Sequence, residues 1–443
     1  MEKSEQKLAL FGGQKAVDLD PGDTFVWPII TEEDEQAVLS VLRKGTMSEL
    51  DVTEAFEDEF AKWQGTQYAL GFNNGTSALL GAMFSAGVSV GGEIICPSLT
   101  YWASALPCYS LGATVVFADI DPTTLCIDPN DIEHRITEHT QAIIVVHYVG
   151  YPADMDAIMA LGHKHNLPII EDVSHAQGGL YKGRKVGTFG KVNAMSLMSG
   201  KSLPAGEAGM LVTDDQECYE RAVAFAHYRR FNADIHSPDL RPFRNLPLGG
   251  MKARMNQLSS ALGRVQLRSY DARAAEIRQA INYFWDLLEG VPGIRAHRVA
   301  RDSGSTMAGW YSARGLYKPD ELGGLSVTRF AEAVRAEGGI CNPGLNLPLH
   351  LHPLFNTCDV YGHGRPTRIA NAKRDLRQPP GSLPVSESIP ALTYNIPQFK
   401  RYYPELIAQH ASAYRKAAQL YESLLADDPG NPPTLTNWAV NVD

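Results

Sequence analysis

Between residues 67 and 215 the chain alternates short, continuous apolar runs with segments whose apolar residues recur every three or four positions. The runs are QYALGFNN, EIICP, ATVVFADI, QAIIVVHYVG, LPIIEDVSHA, VNAMSLMS and GMLVTDD, several of them rich in Val and Ile. A run that is apolar at every position predicts a strand buried on both faces, as in a mainly parallel sheet covered by helices. GTSALLGAMFSAG, YWASALPCYSLG and MDAIMALGHKHN carry helical spacing and lie between the runs. This is the alternating order of an α/β domain.

Beyond residue 215 the texture changes. QECYERAVAFAHYRRF reads as a helix, and residues 232–250 as a loop rich in Pro, Gly and Asn. MNQLSSALGRVQLRSYDARAAEIRQAINYFWDLLEG is a long helical segment, with Leu258, Leu262, Val265 and Ile277 expected in the core. From about residue 295 the pattern is that of a smaller α+β unit with proline-rich loops, GICNPGLNLPLHLHPLF and RQPPGSLPVSES. The expected organisation is an N-terminal segment (1–30), a large α/β domain (31–290) and a small C-terminal domain (291–443). The N-terminal segment is a candidate to join the small one. The acidic run TEEDEQ (31–36) opens a helix and complements its positive end, so it needs no partner.

Composition narrows the classes. The 443 residues are 44% hydrophobic and 20% charged, a profile that can bury a large core. A net charge of -10, with basic residues scattered and YRRF (228–231) the tightest cluster, argues against a nucleic-acid or anionic-membrane partner. The six cysteines form no C-x-x-C pair and read as reduced, buried residues of a cytoplasmic protein. No apolar stretch approaches the roughly 18 to 20 residues that span a bilayer, and MEKSEQKLALFGG lacks a signal-peptide apolar region.

Three features can serve one chemistry. Gly75-Thr76-Ser77 follows a strand and opens a helix, where free backbone N–H groups and a glycine admit an anion; the plain alternative is a capped tight turn. Glu171-Asp172 ends an apolar run, at the strand end where α/β sheets bind ligands, or it caps the next loop. Lys201 sits beside Ser199 and Gly200 after another strand, where a desolvated amine becomes a nucleophile and base; the alternative is a surface lysine. Pyridoxal 5′-phosphate needs these groups together: a helix N-terminus for its phosphate, a carboxylate for its ring nitrogen and a lysine for its aldehyde. Tyr101-Trp102 supplies an aromatic for the ring face.

In NNGTSAL, PSLTYWAS, IIEDVSHAQGGLYKGRKVGTFG and SLMSGKSLPAGEAGMLVTDD the chain resembles the DegT family of pyridoxal-phosphate-dependent aminotransferases acting on keto sugars and keto cyclitols. The resemblance runs over roughly residues 8 to 425. It implies the aspartate-aminotransferase type of fold (fold type I), a large mainly parallel-sheet domain with a smaller C-terminal α+β domain. It also implies a homodimer whose sites lie at the subunit interface. By resemblance Gly75, Thr76 and Ser196 hold the phosphate and Tyr101, rather than Trp102, stacks on the ring. Asp172 pairs with the ring nitrogen, His175 lies on the ring's hydroxyl side, and Lys201 is the Schiff-base lysine. Lys252 stands where the family commonly has asparagine and would reach the partner subunit's phosphate. His350 falls in a stretch that lines the family's substrate pocket.

Departures accompany the match. Gly206-Glu207-Ala208-Gly209 replaces the usual Gly-Glu-Gly-Gly, and the tail ALTYNIPQFKRYYPEL differs from the usual ending. Glu207 is expected to hold its loop. The spacing of His350, His352, Cys358 and His363 fits no standard zinc pattern, so no metal is expected. A dehydratase branch of the family carries histidine in place of the lysine, so Lys201 favours transamination. LALFGGQKAV and the Trp27-Pro28 pair are similar to the subgroup acting on keto-inositols. The expectation is therefore transfer of an amino group from glutamate or glutamine to a keto sugar or keto cyclitol. Elimination, dehydration or aldol cleavage on a similar polyol, and a cofactor-binding sensor without activity, are the alternatives.

Overall fold

The computed structural model describes residues 7–230, 235–243, 246–362 and 364–433. His363 and residues 232–234 and 244–245 of the expected loop lie outside them. The central sheet contains β1 (Tyr68–Phe72), β2 (Glu93–Pro97), β3 (Thr114–Ala118), β4 (Thr140–Val146), β5 (Ile169–Asp172), β6 (Asn193–Ser196) and β7 (Gly209–Thr213), in the order β1-β7-β6-β5-β4-β2-β3. Strands β3, β2, β4, β5 and β6 run parallel, and β7 runs antiparallel to both β6 and β1. Each expected apolar run is a strand. Every residue of β2, β3 and β7 is buried, as continuous apolar runs demand.

Helices α1 (Glu32–Lys44), α2 (Asp51–Gln64), α3 (Gly75–Ser85), α4 (Met155–His165) and α5 (Gln216–Ala226) belong to the large unit. The acidic run caps α1: the Thr31 side chain accepts from Asp34 N–H while the Asp34 side chain accepts from Thr31 N–H. YWASALPCYSLG does not form one α-helix but two short 3-10 segments, Trp102–Ser104 and Leu106–Leu111. Pro107 has no N–H to give to a carbonyl one turn back, and its ring crowds that turn. The break leaves Tyr101 and Ser104 on a tight turn beside the strand ends.

The long helix α6 (Gln257–Leu287) starts at Asn256, whose side chain accepts from Ser259 N–H at 3.0 Å. Leu267, Tyr270 and Ala274 on its first half pack in the large core. Ile277, Ala280, Ile281, Phe284 and Trp285 on its second half pack in a separate small core. That core also holds Leu8, the helices α7 (Val327–Ala336) and α8 (Pro404–Gln419), and the antiparallel sheet of β8 (Ile294–Ala296), β9 (Arg314–Tyr317) and β10 (Thr393–Asn395). Of the four expected core residues on α6, Val265 and Ile277 are buried, whereas Leu258 and Leu262 are half-buried.

The two cores cut across the expected boundary at 290/291. Leu345, Leu349, Phe355, Leu376, Leu383 and Ile389, from the proline-rich loops and the residues flanking them, return to the large core. The physical reason is the open edge of β3. Arg368 Nε donates to Val115 O at 3.0 Å, Gln378 Nε2 donates to Phe117 O at 2.8 Å, and Phe117 N–H donates to Gln378 Oε1 at 3.0 Å. The loops thus cover an edge that would otherwise present unpaired backbone. The cysteines are all free; five are buried, and Cys358 is exposed, contrary to expectation. Among the described residues no helix is long and apolar enough to cross a membrane.

Candidate active site

At the carboxyl ends of β5 and β6, where parallel sheets open for ligands, lies a cavity of about 380 Å³. Gly75, Thr76, Tyr101, Asp172, His175, Ser196 and Lys201 all line it. Seven positions spread over more than a hundred residues of sequence converge because each ends or follows a strand of one sheet.

One end can receive an anion. Asn74 caps α3 by accepting from Ser77 N–H at 2.8 Å. The amides that open a helix lack intrahelical partners and carry its positive end, and here they belong to Gly75 and Thr76. A Cβ on Gly75 would lie 2.6 Å from Ser196 Cβ and 2.7 Å from its Cα. Glycine is therefore what brings the start of α3 onto β6. A Cβ on Gly209 would lie 2.3 Å from Asn74 O, so a second glycine seats β7 on the same turn. Ser196 Oγ accepts from Met198 N–H at 3.2 Å, which leaves its hydroxyl hydrogen to donate. Ala208 is buried, its carbonyl accepts from Leu197 N–H at 2.8 Å, and its φ is not left-handed, so the extra methyl is accommodated.

Asp172 is held at both oxygens. Ser104 Oγ donates to Oδ2 at 2.7 Å and Ser174 N–H donates to Oδ1 at 3.0 Å. Ser104 in turn shares a hydrogen bond with Thr100 at 3.0 Å. The serine lies within the quoted PSLTYWAS, but only the broken helix aims it at a carboxylate 68 residues away.

Lys201 is buried, and desolvation lowers its pKa to about 8 against the opposing pull of Asp172. Its Nζ lies 4.0 Å from the ring centroid of Tyr311. Tyr311 comes from the loop before β9, lines the same cavity, and stacks on His175 at 4.5 Å and 30°. Sequence reading missed it, because it belongs to the small unit and carries no motif. Its loop holds Ala308, Trp310 and Ser312 in left-handed conformations that non-glycine residues rarely adopt. His175 accepts from Val149 N–H on Nδ1 at 3.3 Å, which places its proton on Nε2. Burial, with Lys201 and Arg314 nearby, pushes the imidazole well below its usual range, so it is neutral.

Two candidates lie outside the cavity lining. Lys252 is exposed, with its Nζ 5.8 Å from the Tyr228 ring centroid. His350 is buried; Nδ1 pairs with Ser98 Oγ at 2.7 Å and Nε2 with Glu387 at 3.0 Å. Nδ1 thus ties its loop to the end of β2, and Nε2 ties that loop to the second covering loop. Glu207 is exposed at the rim of the cavity.

These groups fit pyridoxal phosphate. The Gly75 contact with Ser196 makes a cradle that any side chain would fill, Asp172 is a fixed buried carboxylate, and Lys201 is a desolvated amine across the same space. Comparison with known proteins agrees. The chain is 32% identical over 341 residues to the spore coat polysaccharide biosynthesis protein SpsC of Bacillus subtilis, covering 74% of this chain and 84% of that one. It is 34% identical over 314 residues to the L-glutamine:scyllo-inosose aminotransferase of Streptomyces griseus, covering 68% and 70%. Its fold matches the X-ray structure of an aminotransferase from Psychrobacter cryohalolentis with a TM-score of 0.76 and 29% identity, over 88% of this chain and 97% of that one. The chain belongs to the DegT/DnrJ/EryC1/StrS aminotransferase family, which it matches over residues 28–390, and is a pyridoxal-phosphate-dependent aminotransferase of fold type I.

Proposed function

We propose that the enzyme moves an amino group from glutamine or glutamate to a keto cyclitol or keto sugar. The observation that carries the reading is the convergence, in one cavity, of Lys201, Asp172 and the opening turn of α3. The similarity to the scyllo-inosose aminotransferase supports a cyclitol ketone as acceptor and glutamine as donor.

When bound, pyridoxal phosphate supplies an aldehyde and an electron-accepting ring. The first turn of α3 and Ser196 bind its phosphate. Asp172 holds the proton on the ring nitrogen, and Ser104 and Ser174 fix the orientation of that carboxylate. Tyr101, 38% exposed at the cavity, would cover one face of the ring, and His175, whose proton is on Nε2, would serve its hydroxyl side. Lys201 Nζ would be the base that moves a proton between the donor's α-carbon and the carbon of the cofactor's aldehyde group. Its lowered pKa suits that work near neutral pH. With the ketone bound, the same atoms act in reverse order. We further propose a cytoplasmic homodimer in which Lys252 meets the partner's phosphate, and His350 shapes the acceptor pocket through the loops it anchors.

The test is a screen of keto-inositols against nucleotide-linked keto sugars, with glutamine and glutamate as donors. One equivalent of oxo acid released per site without acceptor, then turnover with a keto-inositol, is the expected result. Absence of oxo acid with either donor overturns the reading.

A further inference from the structure

The family match covers residues 28–390, yet residues from either side of that stretch meet behind Lys201. The Trp27 indole N–H donates to the Lys201 carbonyl at 2.9 Å. On the face of the same indole, Lys400 Nζ lies 5.0 Å from the ring centroid. The two pieces of chain are joined beside this contact. Lys400 N–H donates to Thr24 O at 2.7 Å, and the rings of Phe25 and Phe399 lie 5.7 Å apart. On the other side of Trp27, Gln266 Nε2 of α6 donates to Ile29 O at 3.1 Å. Residues 24–29 are therefore fixed before, at and after the indole.

Besides the Leu197 N–H bond to Ala208 O at its base, the turn that carries Lys201 is tied within itself. Lys201 N–H donates to Met198 O at 2.8 Å and Ala205 N–H donates to Leu197 O at 2.7 Å. Both restrain the chain away from the Lys201 carbonyl, so the peptide plane that follows Lys201 depends on Trp27. Tilting that plane swings the Cα–Cβ bond, and with it an amine at the end of a long side chain. A misplacement of about 1 Å at a reacting atom costs roughly a hundredfold in rate. The lysine on the indole face is attracted by the ring's negative π-surface, which holds the ring at the angle its N–H needs. Burial brings the Lys400 amine down to about 8.

We propose that Trp27 is a positioning residue for Lys201, its indole N–H fixing the Lys201 peptide, and that Lys400 seats the indole. The chain ends thus form a bracket behind the catalytic amine. The proposal rests on the reading of Lys201 as the reacting lysine.

The test uses the full-length holoenzyme carrying Trp27→Phe, which keeps a ring and loses the N–H. Lys400→Met removes the charge, and Lys400→Arg retains it. Single-turnover rates with the amino donor, the donor KM, the pH midpoint of the bound cofactor's absorbance and the melting temperature are measured together. Trp27→Phe is expected to slow the single turnover about tenfold, with KM within about twofold and a displaced pH midpoint, as loss of one buried hydrogen bond predicts. Lys400→Met is expected to slow it about threefold and Lys400→Arg to restore it. Wild-type rates and pH midpoints in both Trp27→Phe and Lys400→Met overturn the proposal. So does a rate loss that follows the melting temperature while the pH midpoint stays put. If Trp27→Phe does not fold, the Lys400 pair decides alone. Lys201→Ala, run in parallel, separates the two levels: lysine-linked absorbance that survives in it refutes the reading of Lys201 itself, whatever the bracket variants do.

Discussion

Gly75→Ala opposes two effects of known size. Replacing glycine by alanine inside a helix ordinarily stabilises a protein by about 0.5–1 kcal/mol, because the unfolded chain loses freedom. At this position the new methyl carbon would lie 2.6 Å from Ser196 Cβ, 2.7 Å from Ser196 Cα and 2.9 Å from its nitrogen. Carbon atoms rest at about 3.5–4.0 Å, so α3 and β6 must separate by roughly 1 Å. Two of the three contacts are backbone atoms of a strand paired on both sides, which no rotamer change relieves. Overpacking of this kind costs about 1–3 kcal/mol, so the variant should lose up to about 2.5 kcal/mol net and melt as much as several degrees lower.

The consequence for the cofactor is larger and more specific. Separation of the α3 amides from the Ser196 hydroxyl weakens charge-assisted hydrogen bonds worth about 1.5–3 kcal/mol each. Pyridoxal phosphate should therefore bind about 10- to 100-fold more weakly. Pyridoxal, which has no phosphate, should bind the variant and the parent alike. Equilibrium titration of the apoenzyme with both compounds, beside a thermal melt, measures the effect. A Gly75→Ala protein that melts higher and binds pyridoxal phosphate with unchanged affinity would refute the close approach of α3 to β6 and the phosphate assignment with it.

Other outcomes follow from the same geometry. Capture of pyridoxal phosphate by the apoenzyme requires the deprotonated Lys201 amine; its pKa is lowered to about 8, so the capture rate should rise with pH and reach half its plateau near 8 rather than 10.5. Tyr311→Leu removes the ring 4.0 Å from that amine and so destabilises its charged form, moving the midpoint down by about 0.5–1 unit, while Tyr311→Phe leaves it in place. Ser104→Ala deletes the donor 2.7 Å from Asp172 and should lower kcat about tenfold, or about 1.4 kcal/mol, in a steady-state assay. Glu57→Ala leaves Arg230 buried without its 2.6 Å partner and removes the acceptor of Gly71 N–H; a loss of about 3–5 kcal/mol in urea unfolding is expected.

The strands, the long helix and the strand-end positions of Asp172, Lys201 and the Gly75 turn were legible in the chain, because they rest on local rules. A strand buried on both faces must be apolar throughout, a helix must repeat its apolar face, and a strand followed by Gly-Thr-Ser must turn. These rules also placed the cofactor chemistry in order along the sequence. What they leave undetermined are contacts between segments that share no period. Ser104 reaches Asp172 only because Pro107 breaks a stretch that reads as one helix. Leu345, Leu349, Phe355, Leu376, Leu383 and Ile389 stand at irregular spacing and join the large core because the edge of β3 requires cover, a need that exists only once the sheet is built. Tyr311 and Lys400 carry no motif, and Trp27 marked only a subgroup resemblance; Tyr311 meets the Lys201 amine, Trp27 its carbonyl, and Lys400 the Trp27 ring through the packing of the small unit against the large one. Sequence periodicity reports which face of an element is buried; which atoms that face meets depends on the whole packed chain, and so only the tertiary structure decided it.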